Sequence, residues 1–118
     1  MEDTNLLQFT KREELREWLI QSHSTAHDCW ILTSRSKEPP PGIIPYNEIV
    51  EEALCFGWID STVKQLDNGR LAQRLSKRRK GSSWSRINKE RYITLEKQGL
   101  ITEAGQKEWE KFLHIESH

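Results

Sequence analysis

Residues 58–75, W-I-D-S-T-V-K-Q-L-D-N-G-R-L-A-Q-R-L, decide the fold, because two strand-like runs flank Asn68-Gly69. Asn-Gly is the strongest short hairpin signal, since both central residues of a two-residue turn need positive φ. The spacing predicts strands over Trp58 to Leu66 and Arg70 to Leu75. A two-residue loop would set Asp67 opposite Arg70, Leu66 opposite Leu71 and Lys64 opposite Gln73. Trp58, Asp60, Thr62 and Lys64 would then share a face with Gln73 and Leu75, and Arg74 and Arg78 would point the other way. A one-residue bulge would exchange these faces for part of the hairpin.

Working upstream, Ile49, Val50, Ala53 and Leu54 repeat at helical spacing and predict a helix over Tyr46 to Phe56, closed by Gly57. Lys37 to Pro45 contains all four prolines and reads as a loop. Cys29-Trp30-Ile31-Leu32-Thr33 reads as a short buried strand. Before it, Thr10-Lys11-Arg12-Glu13 has the capping-box pattern, and Leu15, Trp18 and Leu19 share a helical face, so a first helix is expected over Lys11 to Gln21. Downstream, Ser82, Ser83 and Ser85 are candidate N-caps for a helix reaching Lys97 before Gly99, and Thr102 can cap a last one. The order α-β-α-β-β-α-α predicts an α+β fold, a single domain over residues 1–118. Its small, three-stranded, mainly antiparallel sheet would carry the β-hairpin and be packed by about four helices.

The net charge of zero conceals a strong asymmetry. Residues 1–60 carry 5 Lys/Arg against 11 Asp/Glu, residues 61–97 carry 11 against 3, and residues 98–118 carry 2 against 4. Cys29 and Cys55 lie in apolar contexts and are too few for a disulfide scaffold, so buried free thiols are expected. No apolar run is long enough to span a bilayer, and the N-terminus M-E-D-T-N-L-L is acidic where a secretory signal would be basic, which points to the cytoplasm.

The basic segment is the candidate site. Arg74, Arg78, Arg79 and Lys80 precede Ser82, Trp84, Ser85 and Asn88, so guanidinium groups, hydroxyls and helix-opening amides could meet an anion together. Phosphate is the natural ligand, nucleic acid or a nucleotide its leading carrier. The bland alternative is a solvated face paired with the acidic N-terminal half. Trp58 and Trp84 could stack on bases, but all five tryptophans are expected first as core. Asp60 is expected beside Arg74 or Arg78, as a structural pair or as part of a pocket with Trp58. His23, His27 and Cys29 invite a metal reading, yet no fourth ligand follows at fitting spacing. No nucleotide-binding glycine signature, nucleophile elbow or paired-cysteine motif is present, so neither a catalytic residue nor a cofactor is expected. An interaction module, including a homodimer joining acidic and basic segments of two copies, is a further alternative.

Several stretches together resemble the YdeI/OmpD-associated proteins, also labelled bacteriocin-protection proteins. They are Y-N-E-I-V-E-E-A-L-C-F-G-W-I-D-S at Tyr46 to Ser61, Q-R-L-S-K-R-R-K-G-S-S-W-S-R-I-N-K-E-R at Gln73 to Arg91, G-L-I-T-E-A-G at Gly99 to Gly105, and the W-L helix with His23. The chain looks like the N-terminal part of that family, with Leu75 where the pattern usually has Phe and Lys77 where it has Pro. The resemblance implies an association with envelope stress and antimicrobial-peptide resistance, with no reaction attached.

Overall fold

The computed structural model describes residues 6–67 and 69–116. Its elements are β1 (Leu6–Leu7), α1 (Arg12–Ser22), β2 (Asp28–Ser34), β3 (Ile44–Pro45), α2 (Tyr46–Cys55), β4 (Trp58–Gln65), β5 (Leu71–Lys77), α3 (Arg86–Lys97) and α4 (Glu103–Glu116). The α+β class and the four helices hold. The three-stranded, mainly antiparallel sheet does not, because the sheet is five-stranded and mixed. β1 runs parallel to β2 through Trp30 and Ile31, and β3 runs parallel to it through Thr33 and Ser34. Since β5 occupies the other side of β2 from Asp28 to Thr33, β1 and β3 lie end to end along one edge. Two-residue strands carry no periodicity, and Pro45 argues against a strand except at such an edge. α1 is the crossover that lets β1 and β2 run parallel.

The hairpin forms one residue out of the expected register. Leu66 N–H donates to the Arg70 carbonyl at 2.9 Å, so three residues separate the closing pair, and Asn68 itself lies outside the described residues. Asp60 opposes Leu75, but Val63 opposes Gln73, so the strand carries a bulge between them. Gln73 is fully buried, and its Nε2 reaches the carbonyls of Ser61 (3.3 Å), Thr62 (3.2 Å) and Arg74 (3.0 Å), which satisfies the bulged backbone. Lys64 consequently opposes Ala72 rather than Gln73, moving to the face that carries Arg74.

Helices cover one face of the sheet. Leu15 and Leu19 of α1, Ile49, Val50, Ala53 and Leu54 of α2, Tyr92 and Leu95 of α3 and Phe112 of α4 join one core with Cys29, Ile31, Trp58 and Leu75. Trp30, Leu32, Ala72 and Arg74, which alternate with those sheet residues, are not in that core. Trp30, expected in the core, lies outside that cluster: pairing with Arg74 places it, half-buried, on the opposite face, where Leu32 and Ala72 are also buried. α1 starts one residue late, and Glu14, not Glu13, reaches back to accept from the Thr10 amide (2.8 Å) and hydroxyl (2.9 Å) and the Lys11 amide (3.1 Å). These bonds to the ionised carboxylate hold Glu14 below the usual carboxylate pKa.

α4 docks tightly on the end of α2. A Cβ on Gly105 would collide with the Cys55 carbonyl oxygen, and one on Gly57 (φ +77°) would lie 2.7 Å from Glu108 Cγ. Thr102 donates its amide to the same Cys55 carbonyl at 2.9 Å, fixing where α4 begins. Among the described residues no helix is long and apolar enough to cross a membrane.

Candidate anion-binding site

After β5 the chain crosses eight residues before α3, and these carry the candidate site. The Ser82 amide donates to the Arg79 carbonyl at 3.1 Å, so Gly81-Ser82-Ser83 sits beside a turn and does not open the helix as expected. Helix α3 begins at Arg86, and its N-cap Ser85 accepts from the Asn88 amide at 3.1 Å. The Ser85 side chain thus takes up a helix-terminal donor that the sequence reading offered to a ligand. The hydroxyl of Ser82 accepts from Arg78 Nη1 at 3.2 Å.

Arg78 is the centre of this connection. Its guanidinium carbon lies 3.9 Å from the ring centroid of Trp84, a cation–π stack. Trp84 is only 6% exposed, because its ring also meets Trp109 at 5.0 Å and Tyr92 at 5.7 Å edge-on. Both Trp58 (1% exposed) and Trp84 are therefore core anchors, not surfaces for a base. Arg78 Nε and Nη2 are shielded from solvent and have no hydrogen-bond partner among the described residues. Burial lowers the Arg78 pKa to about 10 against the opposing pull of Glu108 and Asp60, so the group is still a cation at neutral pH.

An open basin of about 490 Å³ lies here, lined by Arg78, Arg79, Lys80, Trp84, Lys111 and Phe112 among others. Its acid, Glu108, pairs with Lys111 at 2.8 Å. Arg79 and Lys80 are exposed, and neither has an acidic partner among the described residues. A second basin of about 390 Å³, lined by His27, Ser61, Arg74, Ser76 and Lys77 among others, shares Arg79 and Ser82 with the first. The wall contributed by α4 was missed in the sequence. Its only signal was the helical spacing of Glu108, Lys111, Phe112 and Ile115, which says nothing about the element it faces.

The remaining expected site residues are not brought to this basin. Arg74 pairs with Asp28 at 2.7 Å, and Asp60 accepts a hydrogen bond from the Tyr46 hydroxyl. Asp60 opposes Leu75 on the helix-covered face, whereas Arg74 lies on the opposite one, so strand alternation separates them. Burial first, then the bond to Asp60, raises the Tyr46 pKa, and the Arg35 guanidinium sits 4.0 Å above its ring. Asn88 is buried, and its Oδ1 accepts from Arg91 Nη1 at 2.8 Å while Arg91 Nη2 donates to Asn47 at 2.8 Å, a seam between α2 and α3. Cys29 and Cys55 are free and buried, and burial pushes both thiols up to about 12. Among the described residues no three His, Cys, Asp or Glu side chains gather to hold a metal.

The geometry defines an α+β domain with a mixed sheet, helices on one face, and basic side chains at the β5–α3 connection. Residues 7–108 match the family model described as a domain of unknown function (DUF8412), and the chain belongs to that family. No curated protein and no solved structure matches it.

Proposed function

We propose that this domain is a non-enzymatic binding module for phosphate-bearing ligands, with nucleic acid as the leading candidate, acting through Arg78, Arg79, Lys80 and Lys111. The observation carrying this reading is the exposure of Arg79 and Lys80 without acidic partners beside an arginine already oriented by Trp84. Arg78, with Nε and Nη2 shielded and Nη1 on Ser82, fixes the connection, and the exposed flanking cations attract phosphate without needing fixed geometry. The cytoplasm is the compartment proposed for it, and the resemblance to the YdeI/OmpD-associated proteins adds a stress-related setting.

The experiment is a salt titration of binding to short DNA and RNA. Affinity should fall steeply with salt, because each neutralised phosphate releases counterions. Replacing Arg78→Ala together with Arg79→Ala should weaken binding by roughly tenfold or more at low salt and flatten that dependence. Affinity indifferent to salt, or unchanged in the double variant, would sink the reading.

A further inference from the structure

We infer that the face of the sheet opposite the helices is a platform for single-stranded nucleic acid, with the half-buried Trp30 as the base-stacking residue and the β5–α3 connection holding the adjoining backbone. This inference rests on the binding reading above and adds what that reading lacks, the form of the nucleic acid.

The first support is an aromatic ring in an unusual place. Trp30 pairs directly with Arg74, and Asp28 with Ser76, so these four share one face of neighbouring strands. The bulge in β4 adds Lys64 to that face opposite Ala72, while the Ser61 hydroxyl reaches the Arg74 carbonyl at 3.3 Å. Among the described residues, Trp30 is half-buried and belongs neither to the helix-covered core nor to the side chains packed against it. Its ring neighbour is Lys64 Nζ, 5.7 Å from the centroid, on an exposed and flexible side chain. An ammonium there can swing to a phosphate and leave the indole to a base. An indole face accepts any base, because every base has a π-face.

Charge complementarity is the second support. His27, Lys64, Arg74, Lys77 and Arg79 line or border this face, and its acid, Asp28, is held by Arg74 at 2.7 Å. Continuity is the third. The basin on this face shares Arg79 and Ser82 with the basin around Arg78 and Trp84, so one strand could cross from the stacking ring to the cationic connection without leaving basic surface. A duplex has its bases stacked inside and offers no base face to Trp30, so the arrangement selects an unpaired strand.

The test uses the full chain and fluorescence anisotropy with a labelled thymidine strand of about 20 nucleotides, a duplex of equal length, and a poly-glutamate peptide. The single strand should bind about tenfold or more tighter than the duplex, and Trp30→Leu should cost it about 5- to 160-fold, the range for losing one base–aromatic stack. Trp30→Phe should restore most of that loss. Ser61→Glu, an exposed change that leaves the core untouched, should weaken the single strand as well and guards against reading a misfolded Trp30 variant as support. Equal binding of both forms, unaffected by Trp30→Leu and Ser61→Glu but weakened by Arg78→Ala with Arg79→Ala, overturns the platform and leaves the phosphate reading standing. Binding of neither form overturns both. Tighter binding of the peptide than of the single strand overturns the platform in favour of an acidic protein partner.

Discussion

Two arginine clusters in this protein contrast in a single respect, the presence of an acid folded against them. At the seam of α1 and α2, the Glu52 carboxylate is 2% exposed and accepts from Arg12 Nε at 2.9 Å and Arg16 Nε at 2.8 Å. Arg12 also pairs with Glu51 at 3.0 Å, and Arg16 donates to the Leu100 carbonyl at 2.8 Å. At the β5–α3 connection, among the described residues, Arg78 keeps two nitrogens without partners, and Arg79 and Lys80 face solvent with no acid paired to them. The first cluster ties α1, α2 and the α3–α4 turn together. In the second, Arg78 stacks on Trp84 and donates to Ser82, while Arg79 and Lys80 are the exposed charges that the proposed function assigns to a ligand.

The contrast can be broken by mutation, beginning with the closed cluster. Glu52→Ala should cost about 3–5 kcal/mol, because it leaves two arginines facing a buried seam with no anion. Thermal unfolding would read this as a large fall in Tm, and a fall of only a degree or two would mean the seam is not closed at all. Arg78→Met should instead leave Tm level or raise it by up to about 1 kcal/mol equivalent, since methionine keeps the contact with Trp84 and removes two unsatisfied donors. The same variant should lose oligonucleotide affinity, and a clear loss of stability would show that Arg78 is structural. Arg79→Ala with Lys80→Ala should have the smallest effect on folding, within about 0.5 kcal/mol. Its effect should appear in the salt dependence of single-strand binding, where the slope should fall by about 1.4 for two lost phosphate contacts.

Much of the fold was legible because helices announce themselves twice, in periodicity and at their ends. The α2 start at Tyr46, the Ser85 cap and the close of α3 at Lys97 all lie where apolar spacing and capping residues put them. β1 and β3 were not legible, since two residues paired to the edge of β2 leave no alternation to read. The hairpin was found but misregistered, because the bulge depends on Gln73 filling it from the partner strand. The site divides in the same manner. The cations from Arg74 to Lys80 lie within one short stretch of sequence and are legible there, whereas Lys111 and Phe112 reach the basin only through the packing of α4. Trp30 falls outside the helix-covered cluster because strand alternation turns it to the other face, which the uniformly apolar C-W-I-L does not reveal.

The same uneven sheet has a consequence for association. A sheet edge is a template for another chain, and natural proteins blunt such edges with short strands, proline, charge and bulges. Here one margin is divided between two strands of two residues each, one ending in Pro45, and the other margin, β4, is interrupted between Asp60 and Val63 and carries Lys64. Among the described residues, a second copy trying to extend the sheet would find no long, flat row of amides on either side, so neither margin invites edge-to-edge polymerisation.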